Sequence, residues 1–333
     1  MATKMGNGGH GMEEYSESTG KYIADGQPNK RYDNPEEEVD TVNRLFGFGR
    51  NDVFRSENFL PKTTSESSRR DVWSPVGKSY EERADYMKQA DREDEKIYGK
   101  DFIARVYDKR PETIDDKSEE RQSLRKQWVG DEISLQKSER QIQYGHHAVI
   151  VLGLPGSGKS AVAKDIIENN GAFEIDSDIF KTDYIPEFIQ DNTMTVKTQK
   201  EAGLLADTMR NDVCREGANI CIGKVGGTPS AIAHIVSELK NYGYTIDVVY
   251  NDVPAKETEQ RNDSRFQRNL RDGKPARYVP RRVIRGSEYG ILKTVNSLSR
   301  NPDVNGVAMY SNDVRYGEKP KLLHTVGKIK EII

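Results

Sequence analysis

Four apolar residues, Val149-Ile-Val-Leu152, run directly into Gly153-Leu-Pro-Gly-Ser-Gly-Lys-Ser160, and a helix-like pattern follows. This stretch constrains the fold more than any other. A buried strand, a glycine-rich turn and a helix in that order make a βα unit whose turn gathers backbone N–H groups into one concavity. Gly153, Gly156, Ser157 and Gly158 form the turn, and its glycines let the backbone approach a phosphate closely. Lys159 reaches the β/γ-phosphates, and the Ser160 hydroxyl is placed to ligate Mg²⁺. The string matches the P-loop pattern in full and in the right context. It predicts a nucleoside triphosphate, ATP or GTP, with Mg²⁺ at Ser160.

The rest of the 333 residues divides unevenly. The chain is 34% hydrophobic and 32% charged, too poor in core-forming residues to be globular throughout. The polar, unpatterned sequence lies in residues 1 to about 145. Residues 1–76 read as largely irregular, with one apolar island from Val42 to Phe54. Residues 77–145 read as a charged helical region, with helical periodicity over 79–106 and 116–143. Its thin apolar faces predict helices that are exposed or lean on a regulatory partner. The net charge of −3 gives no global case for nucleic-acid binding. Two cysteines, Cys214 and Cys221, fit no metal spacing and point to a reducing compartment. No signal-peptide core is visible, and no run reaches the roughly 18 apolar residues of a membrane span. The expectation is a soluble, cytoplasmic protein, encoded by a bacterium or phage or delivered into a target cell.

From His147 strands and helices alternate. Strands are predicted at 147–153, 172–176, 218–223, 244–251 and 305–310. Helices are predicted at 158–169, 197–216, 229–241, 254–272, 280–299 and near 321–332. The alternation makes residues 146–333 an α/β domain, a parallel sheet with helices on both faces, preceded by the polar, partly helical N-terminal extension. In such sheets ligands bind beyond the carboxyl ends of the strands. The P-loop, Asp176, Asp178, Thr228 and Asp252 share that address.

Phosphoryl transfer to a hydroxyl needs a carboxylate to orient the acceptor or take its proton. Asp176-Ser-Asp178 ends the second strand, where a carboxylate would face the γ-phosphate; the alternative is that Asp178 caps the next helix. Between 261 and 285 lie eight arginines and Lys274, with Arg261, Arg265 and Arg268 at helical spacing. They read as a lid whose arginines neutralise charge on the transferring group. The competing reading is a nucleic-acid phosphate patch, but no aromatic stacking platform is interleaved with them. Asp252, ending an apolar strand, reads as structural, with a Walker-B acid as the alternative.

The motifs Gly153–Ser160, Asp176-Ser-Asp-Ile-Phe-Lys181, Gly227-Thr228, Arg261/Arg265, Arg277-Tyr-Val-Pro280 and Met309-Tyr-Ser-Asn312 stand in the order of the zeta-toxin family of P-loop kinases. The resemblance covers roughly residues 146–316. It implies an ATP- or GTP-dependent kinase that phosphorylates a small nucleotide-type metabolite, as a toxin or effector. Family members act on UDP-N-acetylglucosamine at the sugar 3′-hydroxyl, and a related effector branch acts on NAD. It implies Asp178 as general base, Lys159 and Ser160 as triphosphate and Mg²⁺ ligands, and Arg277 with Arg261 or Arg265 as phosphate clamps. Asp176, Glu201 and Thr228 become substrate contacts, and an antitoxin or other inhibitory protein becomes an expected partner. The family's sugar kinases carry Glu-Gly-Thr-x-Arg after the third strand, whereas this chain reads Gly226-Gly-Thr-Pro-Ser230, without the acid and the arginine. Two other readings use the same core: a polynucleotide or tRNA 5′-hydroxyl kinase, and a non-catalytic nucleotide-binding module.

Overall fold

A computed structural model describes residues 14–16, 21–23, 80–312, 314 and 319–329. The apolar island from Val42 to Phe54 lies outside the described residues. Within the segment expected as loop, β1 (Glu14–Ser16) and β2 (Lys21–Ile23) pair antiparallel.

The centre of the fold is a six-stranded sheet in the order β4-β5-β3-β6-β7-β8. Its strands are β3 (His147–Leu152), β4 (Phe173–Ile175), β5 (Ile220–Lys224), β6 (Thr245–Asp252), β7 (Gly306–Ser311) and β8 (Lys321–Gly327). The first five are parallel and β8 is antiparallel to β7. Strand β3 explains the layering. Its alternate residues point to opposite faces, and both sets are buried. Ala148, Ile150 and Leu152 pack with Trp128, Leu205, Ile235 and Val295 on one face. Val149 and Val151 pack with Val162, Ile166 and Ile167 on the other. A run of apolar residues without alternation is what a doubly covered parallel strand requires.

From β3 the chain passes to one side of the sheet for β4 and β5, then crosses to the other side for β6 and β7. The order reverses at β3, so the loop after β3 opens into the crevice where such sheets bind ligands.

Of the segment near 321–332, expected as a closing helix, residues 330–332 lie outside the described residues and 321–327 are instead strand β8. Val307 and Ala308 of β7 pair with its Thr325-Val326 dipeptide. β-branched residues suit an extended backbone, and β7 would otherwise present an unpaired edge.

The charged helices expected to be exposed or to lean on a partner pack on the chain's own core. They are α1 (Tyr80–Tyr98), α2 (Lys100–Val106) and α3 (Glu119–Glu139). Helix α3 places Trp128 and Val129 in the main core. Its Gln136 side chain accepts from the Glu174 N–H at 2.8 Å and donates to the Glu174 carbonyl at 3.1 Å. That amide satisfies the open edge of β4 much as a neighbouring strand would. Helix α2 packs through Phe102 and Val106, whereas α1 and α3 add buried ion pairs from Asp94, Arg121 and Arg125, which apolar periodicity does not register.

Candidate active site

The P-loop joins β3 to α4 (Lys159–Asn170). Gly156 and Gly158 have φ of +87° and +84°, the left-handed region that glycine enters without strain. A Cβ at Gly156 would lie 2.5 Å from Asn262 Nδ2, and one at Gly158 would lie 2.1 Å from Asn312 Nδ2. Three asparagines therefore press on the loop from behind. Asn251 Nδ2 donates to the Ser157 carbonyl at 2.6 Å, and Asn312 Nδ2 donates to the same oxygen at 2.8 Å. Asn262 Nδ2 donates to the Pro155 carbonyl at 2.7 Å. With the Pro155 and Ser157 carbonyls tied back, two of the loop's acceptors are kept from an incoming phosphate.

Lys159 Nζ donates to the carbonyls of Gly153 at 2.8 Å and Leu154 at 3.0 Å. Burial pushes its pKa down to about 8; Asp176 opposes that shift and Arg277 adds to it. An anion placed in the loop would restore the charge. Ser160 is exposed at the first turn of α4. A serine hydroxyl at a helix N-terminus, beside a loop built for phosphates, is the donor set that fits Mg²⁺ shared with a nucleotide.

The two acids after β4 take different places. Asp176 Oδ1 accepts the Asp178 N–H at 2.9 Å, so Asp176 is the N-cap of α5 (Ser177–Asp183), which the short α6 (Pro186–Gln190) follows. The cap position is thereby filled, and the Asp178 side chain is left for other work. Its Oδ1 lies 2.5 Å from Arg277 Nη1. Burial raises the pKa of Asp178, but Arg277, Lys181, Arg265 and Lys159 together outweigh it and hold the carboxyl below its ordinary range. Asp176 is pushed the other way, to about 6, by burial and then by the Asp178 carboxylate. Two neighbouring carboxylates driven apart in this way form a pattern that recurs where acid–base chemistry is done.

The basic run 261–285 splits into two groups. Arg261, Arg265 and Arg277 face the P-loop side. Arg261, on α9 (Ala255–Arg271), reaches the Asn312 carbonyl at 3.1 Å. Arg265 bonds Asn262 Oδ1 at 2.7 Å, and burial followed by the Arg277 charge lowers its pKa to about 10. Arg281, Arg282 and Arg285, on α10 (Arg281–Leu298), point away and pair with acids of α1 and α9. They are not part of a lid.

Thr228 precedes α8 (Pro229–Asn241) and makes no side-chain cap. It lines a cavity of about 380 Å³ with Lys224, Asn211, Arg210 and Ser287. Lys224 is tethered to Asp207 at 3.5 Å. The preceding loop is in backbone contact with α10: a Cβ on Gly290 would lie 1.6 Å from the Gly227 carbonyl oxygen. Gly226, which stands where the family's sugar kinases have an acid, has φ of +79° and gives its carbonyl to the Thr294 hydroxyl at 2.7 Å. The glycine is thus required by the path of this loop.

Glu201 is not with this group. It lies fully buried on α7 (Gln199–Arg215), beneath α3. Arg121 Nε and Nη2 donate to it at 2.9 and 2.6 Å, and Arg125 Nε at 2.6 Å. Both oxygens accept from guanidinium, so the substrate contact that the resemblance implied for Glu201 would compete with Arg121 and Arg125. Asp252 accepts from the Tyr250 hydroxyl at 2.9 Å. Sequence reasoning missed Asn251 and Asn262. Each is a single asparagine near a strand or helix end, a signal too weak to find alone. Among the described residues no helix is long and apolar enough to cross a membrane.

The Zeta toxin family model matches residues 133–319. Among solved structures, the PezAT chromosomal toxin-antitoxin system of Streptococcus pneumoniae aligns with TM-score 0.51 at 15% identity. That alignment covers 63% of this chain and 82% of that one. The AvrRxo1-ORF1:AvrRxo1-ORF2 complex, solved with sulphate and with ATP, aligns at 14% identity over 63% of this chain and 68% of that chain, with TM-score 0.46. No curated protein sequence matches the chain.

Proposed function

The chain belongs to the Zeta toxin family of P-loop kinases, and from that premise we propose that it transfers the γ-phosphoryl group of ATP or GTP to a hydroxyl of a small nucleotide-type metabolite, such as a UDP-sugar or NAD. The observation that carries this reading is the Asp178–Arg277 pair, 2.5 Å apart. It joins a deprotonated carboxylate to a guanidinium beside a complete P-loop.

The chemistry follows from the placement. The P-loop N–H groups and Lys159 hold the donor's phosphates. Arg277 exchanges Asp178 for γ-phosphate oxygens, with Arg265 and Arg261 beside it. Ser160 would hold Mg²⁺, which would supply neutralisation of phosphate charge. Asp178, now free, takes the acceptor's hydroxyl proton. The acceptor oxygen bonds to the γ-phosphorus, the bond from that phosphorus to the β–γ bridging oxygen breaks, and the diphosphate leaves. Asp176 orients the helix that carries the base, and Thr228 faces the acceptor.

One observation disfavours a polynucleotide acceptor. Arg281, Arg282 and Arg285 are paired with acids, so the basic run cannot track a nucleic-acid backbone as a whole. On the likeness to a toxin-antitoxin system, a toxin or effector role with an inhibitory protein partner belongs to the same proposal. Asp178→Asn tests it: turnover should fall about 10²–10⁴-fold while ATP binding holds. Parent-level turnover in that variant would remove Asp178 from the role.

A further inference from the structure

Arg277 sits in the short connection between α9 and α10, whose backbone accepts from Asn269 Nδ2 at the Pro275 carbonyl, 3.0 Å, and from Thr195 Oγ1 at the Tyr278 carbonyl, 3.2 Å. A further constraint comes from far upstream. The next residue, Tyr278, is buried and donates its hydroxyl to Asp94 Oδ2 at 2.7 Å. The same carboxylate accepts the Arg281 backbone N–H at 2.9 Å and Arg281 Nη1 at 2.6 Å. Asp94, on α1, is 2% exposed and spends both oxygens on this segment. The Tyr278 ring packs edge-on against Tyr98 at 4.9 Å and Phe102 at 5.6 Å, from α1 and α2. Arg281 also pairs with Asp263, and the Tyr98 hydroxyl donates to the same residue. Asp263 lies on α9, between Arg261 and Arg265. One helix, outside the family-matched segment, thus grips both carriers of the site's arginines from behind.

We propose that Asp94 is a positioning residue for Arg277, and that the 80–106 arm thereby completes the phosphate clamp of this chain. This rests on the reading of Arg277 as a γ-phosphate ligand. Ion pairs of this kind, if they served stability alone, could face any acid on α9 or α10. Here the carboxylate ties Tyr278, the residue next to the clamp, to Arg281 at the start of α10, and the Arg277 side chain is directed at Asp178.

The test uses the full chain and needs no turnover. The affinity of a non-hydrolysable ATP analogue is compared with that of ADP by calorimetry, since only the former has a γ-phosphate. The variants are Arg277→Ala, Asp94→Asn, Tyr278→Phe and the doubles with Arg277→Ala. Arg277→Ala should lower the ratio about tenfold or more, the worth of one charge-assisted contact. Asp94→Asn and Tyr278→Phe should each lower it several-fold, and should lower it no further once Arg277 is gone. Tyr278→Phe keeps the ring cluster and carries the cycle if Asp94→Asn does not fold. An unchanged ratio in Arg277→Ala, or in both upstream variants, overturns the proposal. So does an equal fall with and without Arg277, which would mark a merely structural role. Failure of the kinase reading looks different: no acceptor is phosphorylated although the ratio behaves as described.

Discussion

Glu201→Gln separates two roles for one residue. The side chain keeps its shape and loses its charge. In the structure that charge is fully buried and shared by two guanidiniums. Breaking a buried pair by removing one partner costs about 3–5 kcal/mol, because the other charge stays buried without compensation. Arg121 keeps Glu187 at 3.0 Å, whereas Arg125 keeps only the Thr113 carbonyl at 2.9 Å. One stranded cation rather than two places the expected loss at the lower end, about 3 kcal/mol, or roughly 6–12 °C in melting temperature for a domain of this size. Urea denaturation of the full chain measures it as a lowered midpoint at unchanged slope. A pH signature accompanies it. Burial raises the Glu201 pKa, but the arginine hydrogen bonds outweigh burial and hold it below 4.5. A depressed folded pKa gives stability that is present above the unfolded value and lost as pH falls through the folded one. The parent should therefore lose this contribution below about pH 4.5, and Glu201→Gln should not. An unchanged urea midpoint with a raised KM for the acceptor would refute the reasoning, and would return Glu201 to the substrate.

Other outcomes follow from the same geometry. Lys159, held at about 8, should take up a proton when ATP binds, on the order of half a proton at pH 8. Calorimetry in buffers of different ionisation heat reads this directly, and zero uptake from pH 7 to 9.5 would contradict it. Asn262→Ala should weaken ATP binding and cost about 1–3 kcal/mol of stability by freeing the Pro155 carbonyl; wild-type values for both would show that the brace is idle. A chain starting near residue 140 should not fold, since it lacks Trp128, the arginines over Glu201 and all of α1. A cooperative unfolding transition in that fragment would show the N-terminal helices to be dispensable.

The parts legible in the sequence are the local ones. The strand Val149–Leu152, the glycine turn and the helix after it are adjacent residues whose preferences agree, so the βα unit could be read directly. The alternation after His147 gave the parallel sheet for the same reason. What escaped depends on distant partners. Arg277 and Arg281 look alike in a basic run; only the position of Asp94, nearly two hundred residues away, sends one to the site and the other into the core. Glu201 looks like a substrate acid until Arg121 and Arg125 arrive from α3. Helices α1 and α3 read as solvated because their binding faces are ionic. The last segment read as helix because its β-branched pair, Thr325-Val326, is short and its strand also needs the free edge of β7.

The central claim is that this site moves a phosphoryl group to a small hydroxyl-bearing acceptor, with Asp178 as base. The direct measurement is incubation of the full chain with Mg²⁺ and γ-labelled ATP or GTP against nucleotide sugars, NAD and tRNA, with mass spectrometry of the products. The account predicts label on a hydroxyl of a nucleotide-type metabolite, none on tRNA, and a rate lower by about 10²–10⁴ in Asp178→Asn. Label on tRNA alone, or transfer in Asp178→Asn at the parent rate, would contradict it.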